Sequence, residues 1–324
     1  MKAIVYSGDV LTLEEIEKPV PADDEVLIKV RAASVNPLDY HLLRHPFLRS
    51  TMGAAKKVKT ARPGRDAAGH VEAVGTNVTQ FKPGDEVFGA CNGAFAEYAC
   101  ARESEFAIKP PEVLFEQAAA VPVAGLTALQ GLRDKGQIRP GHKVLINGAA
   151  GGVGTFAVQI AKAFAAEVTG VCSTRNVEMV RSIGANTVID YTREDFTSNG
   201  QCYDVIFDLV SNHSFREHRR ALTRDGRYIG AGILGFGGSM IRLLIQQIPQ
   251  LALSPFASQK FMSFMAKMNQ QDLKTIGQLI REGRVTPVID RRYSLSETPA
   301  AVAYLEAGHA RGKVILDFDL RSSA

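Results

Sequence analysis

The residues whose types and spacing most clearly indicate a binding function lie between Lys143 and Phe164. In this stretch a short apolar run, a glycine-rich turn and a helical pattern follow one another. The run 143–147 predicts a β-strand, and apolar residues at Phe156, Ile160 and Phe164 predict one face of a helix. The first backbone N–H groups of a helix have no internal partner, and the helix dipole favours an anion beside them. This stretch therefore predicts a phosphate-binding strand–turn–helix unit.

The glycine turn departs slightly from the dinucleotide-binding pattern G-x-G-x-x-G. Here the match is Ala149-x-Gly151-x-x-Gly154, with alanine at the first position. Glycine matters at such a turn because a Cβ would hold a pyrophosphate away from the backbone. The alternative is a turn that only lets helix and sheet pack closely. The context favours a dinucleotide site, with Ala149, Gly151, Gly152 and Val153 as predicted cofactor contacts.

Two patterns of secondary structure must position this turn. After Pro111, strands alternate with helical segments, which predicts a parallel, doubly wound sheet. Its strands are expected at 143–147, 167–172, 187–189, 203–209 and 227–231. Before residue 112, short strands punctuated by Gly and Pro predict a compact, barrel-like domain. A final strand within 313–318 is expected to pair back into this first domain.

The composition is typical of an ordinary globular protein of two domains, with 324 residues, 45% hydrophobic and 22% charged. The net charge of +4 and the scattered Arg and Lys residues give no support for nucleic-acid binding. No C-x-x-C pair occurs, so neither a disulfide framework nor a cysteine-based zinc site is expected. The cysteines are Cys91, Cys100, Cys172 and Cys202. Because a strand pattern begins at the N-terminus, we expect no targeting peptide and a cytoplasmic location.

A Met- and Phe-rich segment, residues 233–268, is more apolar than the rest. Arg242, Gln246 and Pro249 interrupt it before it reaches the length of a membrane span. Three interpretations are open. The segment forms helices over the core or a dimer seam, a lid over an apolar substrate pocket, or a peripheral membrane contact.

Several motifs, in order and spacing, resemble the zinc-independent quinone oxidoreductase branch of the medium-chain dehydrogenase/reductase superfamily. They comprise residues 33–39, 63–69, 81–87, 125–128, the glycine turn and 309–314. The resemblance spans essentially the whole chain. It implies an α/β fold with a GroES-like β-barrel domain (1–115, completed by 290–324) and a Rossmann doubly wound parallel-sheet domain (116–289) that binds NADP. It also implies a homodimer.

The resemblance also implies that no metal is bound. Zinc members of the superfamily carry Cys at the position of Asn36 and a His–Glu pair at Arg65-Asp66. Asn and Arg are poor zinc ligands, and a lone carboxylate does not hold the ion. We therefore expect no metal site.

The residues after the second strand of the doubly wound sheet predict NADPH as the cofactor. A carboxylate there would favour NADH, but the chain reads Ser173-Thr174-Arg175. Hydroxyls and a guanidinium suit a 2′-phosphate; the alternative is a helix cap with a solvent-facing Arg. The resemblance implies further cofactor contacts, each of which is equally plausible as a core or turn residue. They are Thr127, Tyr191, Leu209, Val210, Gly232, Ile233, His309, Ala310 and Arg311.

The implied chemistry is metal-free hydride transfer to a small apolar quinone or α,β-unsaturated carbonyl. Asn36 is expected to offer its amide to the substrate or the nicotinamide. Many family members carry Tyr five residues after that Asn; here His41 occupies the place and Tyr40 precedes it. Either is a candidate proton donor, whereas Asp39 and Asp66 are expected to fix loops. The alternatives are an NADPH-binding protein with little turnover and a zinc-free alcohol dehydrogenase.

Overall fold

The computed structural model describes residues 1–7, 10–44, 62–231 and 258–320, with the backbone alone at 42–44. The chain divides into two compact units. The first comprises Met1–Val123, Met268–Glu282 and Pro287–Ala324; the second comprises Ala124–Lys267 and Gly283–Thr286. This division assigns residues 116–123, 268–282 and 287–289 to the first unit, whereas the sequence analysis assigned them to the Rossmann domain.

The strands of the described residues are numbered in chain order. They are β1 (Lys2–Ser7), β2 (Val10–Glu15), β3 (Glu25–Val35), β4 (Asp66–Val74), β5 (Glu86–Ala90), β6 (Tyr98–Arg102), β7 (Phe106–Ile108), β8 (Lys143–Asn147), β9 (Glu167–Cys172), β10 (Thr187–Asp190), β11 (Tyr203–Asp208), β12 (Leu222–Ala231), β13 (Lys260–Phe264), β14 (Ile289–Tyr293) and β15 (Lys313–Asp317).

The α-helices are numbered in the same way. They are α1 (Pro37–Arg44), α2 (Phe115–Ala119), α3 (Pro122–Gln130), α4 (Gly152–Ala163), α5 (Val177–Ser182), α6 (Phe215–Ala221), α7 (Gln270–Arg281) and α8 (Thr298–Glu306). In the part of the chain described, none of them is long and apolar enough to span a membrane.

The first unit is built on a seven-stranded sheet in which β3 is the central strand. The order is β14-β15-β3-β4-β5-β7, and β6 also pairs with β3. Strand β3 is long and almost wholly buried, in keeping with its Val, Leu and Ile residues. A register shift follows Val30 in its pairing with β4, and Gly69 sits at this point because a Cβ there would lie 2.1 Å from the Lys29 carbonyl oxygen.

The C-terminal strand β15 completes this sheet. It runs antiparallel to β3, with Val314 opposite Val35 and Leu316 opposite Ala33. The prediction that the last strand pairs back into the first domain is therefore confirmed.

The second unit contains a six-stranded parallel sheet of order β10-β9-β8-β11-β12-β13. This confirms the predicted doubly wound sheet. The order reverses between β8 and β11, and ligands of such sheets bind beyond the carboxyl ends of the strands at this switch point. The middle strands β8 and β11 are apolar and buried at their centres, residues 144–146 and 205–207, as expected when helices cover both faces.

Some predictions of local structure were wrong. Residues 260–264, for which the sequence favoured a helix, form the edge strand β13 beside β12, while residues 233–257 lie outside the described part. The alternating pattern at 94–99 also predicts a strand, but the strand begins only at Tyr98. Helix α7 was not predicted, although Asn269 caps it by accepting from the N–H groups of Gln271 and Asp272.

Candidate active site

The glycine turn of the second unit has the geometry of an anion site. Helix α4 begins at Gly152, follows an extended Gly151, lacks a side-chain cap and has no acidic residue in its first turn. Its first hydrogen bond runs from Thr155 N to the Gly151 carbonyl oxygen over 2.9 Å. The N–H groups of residues 152–154 therefore precede the helical hydrogen bonds and could donate to a bound anion.

The glycines of this turn have different roles. Gly148 has φ +88°, a backbone conformation that favours glycine. Gly154 is needed for a different reason, since a Cβ there would lie 2.1 Å from the Gly148 carbonyl oxygen. A Cβ on Gly151 would meet only that oxygen, at 3.5 Å. Space for a phosphate is thus left at Gly151, and the residues present fit the pyrophosphate of a dinucleotide.

Ala149, another predicted cofactor contact, is less accessible than the glycines of the turn. It is fully buried, and its N–H donates to the Val171 carbonyl oxygen over 3.0 Å. Ala149 therefore packs inside the turn, whereas Gly151, Gly152 and Val153 are half-buried at its surface.

The tips of β9 and β10, where the sequence predicts the ribose end of the cofactor site, contain a carboxylate that the sequence analysis missed. Asp190 ends β10 directly opposite Cys172 of β9. Its Oδ2 accepts from the Thr174 hydroxyl over 2.6 Å, and its Oδ1 accepts from the Thr192 hydroxyl over 2.8 Å. The hydrogen bond from Thr174 is the main reason that the pKa of Asp190 lies below its usual value.

The residues predicted to select the cofactor lie in the segment after β9, and Thr174 among them contacts this carboxylate. Ser173 is half-buried and its hydroxyl accepts from Asn176 Nδ2 over 3.1 Å. Thr174 and Arg175 are exposed, as is 61% of Tyr191. A ligand phosphate can therefore reach these side chains from solvent.

The switch point between β8 and β11 is held by Asp208, which is fully buried. Its Oδ1 accepts from Asn147 Nδ2 over 2.9 Å and from the N–H groups of Val210 and Ser211 over 3.0 and 2.9 Å. These bonds fix residues 209–211, the turn to which the predicted contacts Leu209 and Val210 belong.

The other oxygen of Asp208 faces two buried rings. It accepts from the Tyr228 hydroxyl over 3.0 Å and lies 3.3 Å from His218 Nε2. Burial alone would raise the pKa of Asp208, but His218 and the N–H groups of the turn outweigh it and bring the pKa to about 2. The carboxylate is therefore ionised whenever the protein is folded near neutral pH.

The other contacts predicted in the second unit are less defined. Thr127 lies on α3 and is half-buried. Gly232 and Ile233 lie outside the described residues.

The first unit brings the predicted residue Asn36 into a buried polar network. Asn36 follows β3 and is 2% exposed. Its Nδ2 donates to Asp66 Oδ2 over 2.9 Å and to the Ser34 carbonyl oxygen over 3.3 Å, and its Oδ1 accepts from Lys313 Nζ over 2.6 Å. Since both N–H groups of the amide have protein acceptors, this geometry favours a positioning role over the donor role that the sequence suggested.

Asp66 is fully buried at the start of β4. Its Oδ2 also accepts from the Ser34 hydroxyl over 2.9 Å, and its Oδ1 accepts from the N–H of Val123 over 3.0 Å. Lys313 Nζ lies 3.6 Å from Oδ2. The carboxylate is therefore surrounded by donors of the protein itself.

Asp39 lies beside this network on α1. Its Oδ2 accepts from the N–H of Asn36 over 2.7 Å, while its buried Oδ1 has no hydrogen-bond partner among the described residues. Burial raises the pKa of Asp39 to about 7, and the charge of Asp66 acts in the same direction.

Tyr40 and His41, the candidate proton donors, lie next to each other on α1. Their ring centroids are 4.5 Å apart, and both side chains are half-buried. Tyr40 packs against the hydrophobic core of the first unit. The predicted contacts His309 and Arg311 are exposed in the segment before β15, where the Arg311 N–H donates to Asp290 over 2.9 Å, and Ala310 is half-buried.

Sequence reasoning missed the role of Lys313. The stretch 309–314 was noted only as a motif, and no pattern indicated that this lysine is buried against Asn36. The one available signal was its position at the start of a strand expected to join the first domain.

The residues of the network do not fit a zinc ion. In the described parts of the chain, no group of three or more His, Cys, Asp or Glu side chains is placed to hold a metal. Arg65, next to Asp66, instead donates from Nη1 to Asn92 Oδ1 over 2.6 Å.

Comparison with known proteins places the chain in a family. A model of the alcohol dehydrogenase GroES-like domain matches residues 22–112, and a model described as zinc-binding dehydrogenase matches residues 183–316. The chloroplast envelope quinone oxidoreductase homolog of Arabidopsis thaliana is 33% identical in an alignment that covers 96% of this chain and 96% of that protein. The chain belongs to the quinone oxidoreductase-like proteins of the medium-chain dehydrogenase/reductase superfamily.

Two further relatives agree with this quinone oxidoreductase-like assignment. An Arabidopsis thaliana protein named NADPH-dependent alkenal/one oxidoreductase, chloroplastic, is 33% identical over 98% of this chain and 79% of its own length. The structure of the quinone oxidoreductase from Coxiella burnetii superposes with a TM-score of 0.83 at 29% identity, covering 99% of each chain. The chain is therefore an oxidoreductase with a nicotinamide cofactor, and its predicted α/β fold is confirmed.

Proposed function

We propose that this oxidoreductase reduces quinones or α,β-unsaturated carbonyls with NADPH and without a metal ion. The observation that carries the proposal is the self-contained network around Asp66. The positions at which zinc relatives hold the metal are occupied by Asn36, Arg65 and Asp66, whose polar atoms bond to other protein groups. A site of this kind offers hydrogen bonds but no Lewis acid.

Substrate class follows from this chemistry. When bound, the nicotinamide cofactor supplies a hydride. A conjugated carbonyl or quinone accepts a hydride at carbon, and its oxygen then needs only polarisation and a proton. A simple ketone or alcohol gains more from a metal ion. The names of the relatives, a quinone oxidoreductase homolog and an alkenal/one oxidoreductase, support the same substrate class.

NADPH is favoured over NADH by the ribose end of the site. Asp190, the carboxylate near this end, already accepts from two threonine hydroxyls of the protein, which use part of its capacity to accept from a ribose 2′-hydroxyl. Ser173 and the exposed Arg175 offer donors to a 2′-phosphate.

Protonation of the reduced substrate is assigned to α1. Either Tyr40 or His41 supplies the proton, since both are half-buried next to Asn36 and Asp39 in the chain. Histidine can donate at neutral pH with little change in its pKa. Asn36 holds the turn from which α1 starts, because its backbone N–H is bonded to Asp39.

The test is to follow NADPH absorbance with a quinone, an alkenal and, in the reverse direction with NADP⁺, an alcohol. Consumption with the first two supports the proposal. Tight NADPH binding without consumption would instead indicate a cofactor-binding protein with little turnover, and turnover of the alcohol alone would indicate a zinc-free alcohol dehydrogenase.

We also propose that the protein is a cytoplasmic homodimer. Its four cysteines are unpaired, which is usual in a reducing compartment. Light scattering coupled to gel filtration tests the dimer, and fractionation of cells tests the location.

A further inference from the structure

The ammonium group of Lys313 is the buried cation of the Asn36 network. Lys313 is 3% exposed, and its Nζ lies 2.6 Å from Asn36 Oδ1 and 3.6 Å from Asp66 Oδ2. Burial lowers the pKa of Lys313, but the carboxylates of Asp66 and Asp39 oppose this shift. A buried carboxylate such as Asp66 is costly without a cation nearby.

The backbone fixes the place of this ammonium. Because Val314 pairs with Val35 in the antiparallel β15–β3 ladder, Lys313 stands across from Asn36. Its N–H donates to the Val288 carbonyl oxygen over 2.8 Å. The preceding Gly312 has φ +94°, and a Cβ there would lie 2.3 Å from the same oxygen, so the chain enters β15 by a turn that only glycine permits.

The two charged groups determine the orientation of the Asn36 amide. An ammonium only donates hydrogen bonds and a carboxylate only accepts them. Oδ1 of Asn36 must therefore face Lys313 and Nδ2 must face Asp66, and a flipped amide would place donor against donor and acceptor against acceptor. Without Lys313, the Asn36 oxygen would lose its donor in this network, and only the acceptors of Nδ2, which are Asp66 and the Ser34 carbonyl oxygen, would oppose the flip.

We propose that Lys313 is a positioning residue of the active site, whose ammonium takes the electrostatic place of the metal ion of zinc relatives by neutralising Asp66 and orienting Asn36. The inference rests on the proposed function. It adds to the site a residue that is distant from Asn36 in the sequence. In this proposal a side chain of the protein supplies the positive charge that a bound metal ion supplies in zinc relatives.

The test uses four variants of the full-length protein. Lys313→Met removes the charge at similar volume, and Lys313→Arg keeps it. Asp66→Asn combined with Lys313→Met removes both charges of the pair. Lys109→Met is the matched control, because Lys109 is also a buried lysine of the first unit, paired with Glu86 at 2.9 Å, but has no contact with the Asn36 network.

A positioning role predicts different results for stability and turnover. Lys313→Met should lower both Tm and kcat. The decrease in kcat should be about 10- to 100-fold, as is usual when a residue that orients a group of the site is removed. Lys313→Arg should retain more kcat than Lys313→Met. The double variant should regain Tm because no buried charge is left unpaired, but its kcat should stay low because neither charge then holds the orientation of the Asn36 amide. Lys109→Met should lower Tm and leave kcat unchanged.

Three outcomes would overturn the inference. They are a normal kcat in Lys313→Met, a double variant that regains kcat together with Tm, and a loss of kcat in Lys109→Met equal to that in Lys313→Met. If the wild type consumes no NADPH with any substrate, the proposed function fails. The Tm values of the single and double variants then still show whether Lys313 and Asp66 are coupled, and a double variant no more stable than Lys313→Met contradicts the pairing.

Discussion

Lys313 and Asn36 are 277 residues apart in the sequence, yet the ammonium of the first donates to the amide oxygen of the second over 2.6 Å. The contact exists because the last strand of the chain lies antiparallel to β3, at whose end Asn36 stands. The strand that completes the first unit thus also supplies its buried cation.

Replacing Gly151 by Ala should weaken the binding of NADPH without lowering the stability of the protein. In the protein itself the new Cβ would meet only the Gly148 carbonyl oxygen at 3.5 Å, and Gly151 has an ordinary φ of −80°. Tm should therefore stay close to the wild-type value, while the Kd for NADPH rises about tenfold or more because the methyl group enters the phosphate space. Fluorescence titration and thermal denaturation measure the two quantities.

Gly154→Ala is the contrasting variant. Its Cβ would lie 2.1 Å from the Gly148 carbonyl oxygen, so the turn itself must shift. We expect a loss of about 1–3 kcal/mol in the free energy of unfolding, measured in urea. If Gly151→Ala binds NADPH normally, the turn does not hold the pyrophosphate.

Arg175→Ala should raise the KM for NADPH by about 10- to 100-fold, since a charge-assisted hydrogen bond to the 2′-phosphate is lost. The KM for NADH should change little. Arg181→Ala is a suitable control because Arg181 is exposed on α5 and paired with Glu178. Equal changes for both cofactors would contradict recognition of the 2′-phosphate.

Replacing the two candidate proton donors together, as Tyr40→Phe with His41→Asn, should lower kcat for an enone by about 100-fold or more. The rings lie 4.5 Å apart, so each single variant leaves a donor nearby and should lose less. His142→Asn serves as a control outside the site. Unchanged turnover in the double variant would exclude a donor role for both residues.

Asp39 should make the protein less stable as pH rises. Its ordinary pKa of 3.8 is raised to about 7 in the folded protein, chiefly by burial. Between these values the folded state binds more protons than the unfolded state, so stability falls with increasing pH. Asp39→Asn removes this loss, and its Tm relative to wild type should therefore rise from acidic to neutral pH. A constant difference in Tm across that window would show that Asp39 ionises normally.

The sequence predicted the fold more fully than the site. Strands and helices are indicated by neighbouring residues, whereas the contacts of the site join residues that are far apart in the sequence. Strands β8 and β9 were predicted to the residue, since their short apolar runs are bounded locally by polar residues and turns. Strand β13 was missed because its Met- and Phe-rich residues fit a helix equally well, and only pairing with β12 decides the matter.

The contacts of the site could not be read locally. Asp190 reaches Thr174 only because β10 lies beside β9, which places the carboxylate at the tip where the sequence shows none. The amide of Asn36 was expected to face a ligand, but the partners that occupy it, Asp66 and Lys313, are set by sheet register. Residue types and spacing therefore identified Asn36 as a residue of the site but did not identify the side chains that contact it.

The most direct test of the account is NADPH oxidation with an alkenal by protein that has been dialysed against a chelator, with zinc measured in the same sample. We predict full activity at a zinc content far below one ion per chain. Stoichiometric zinc that resists the chelator, or activity that is lost with the metal and returns when zinc is added, would contradict metal-free hydride transfer.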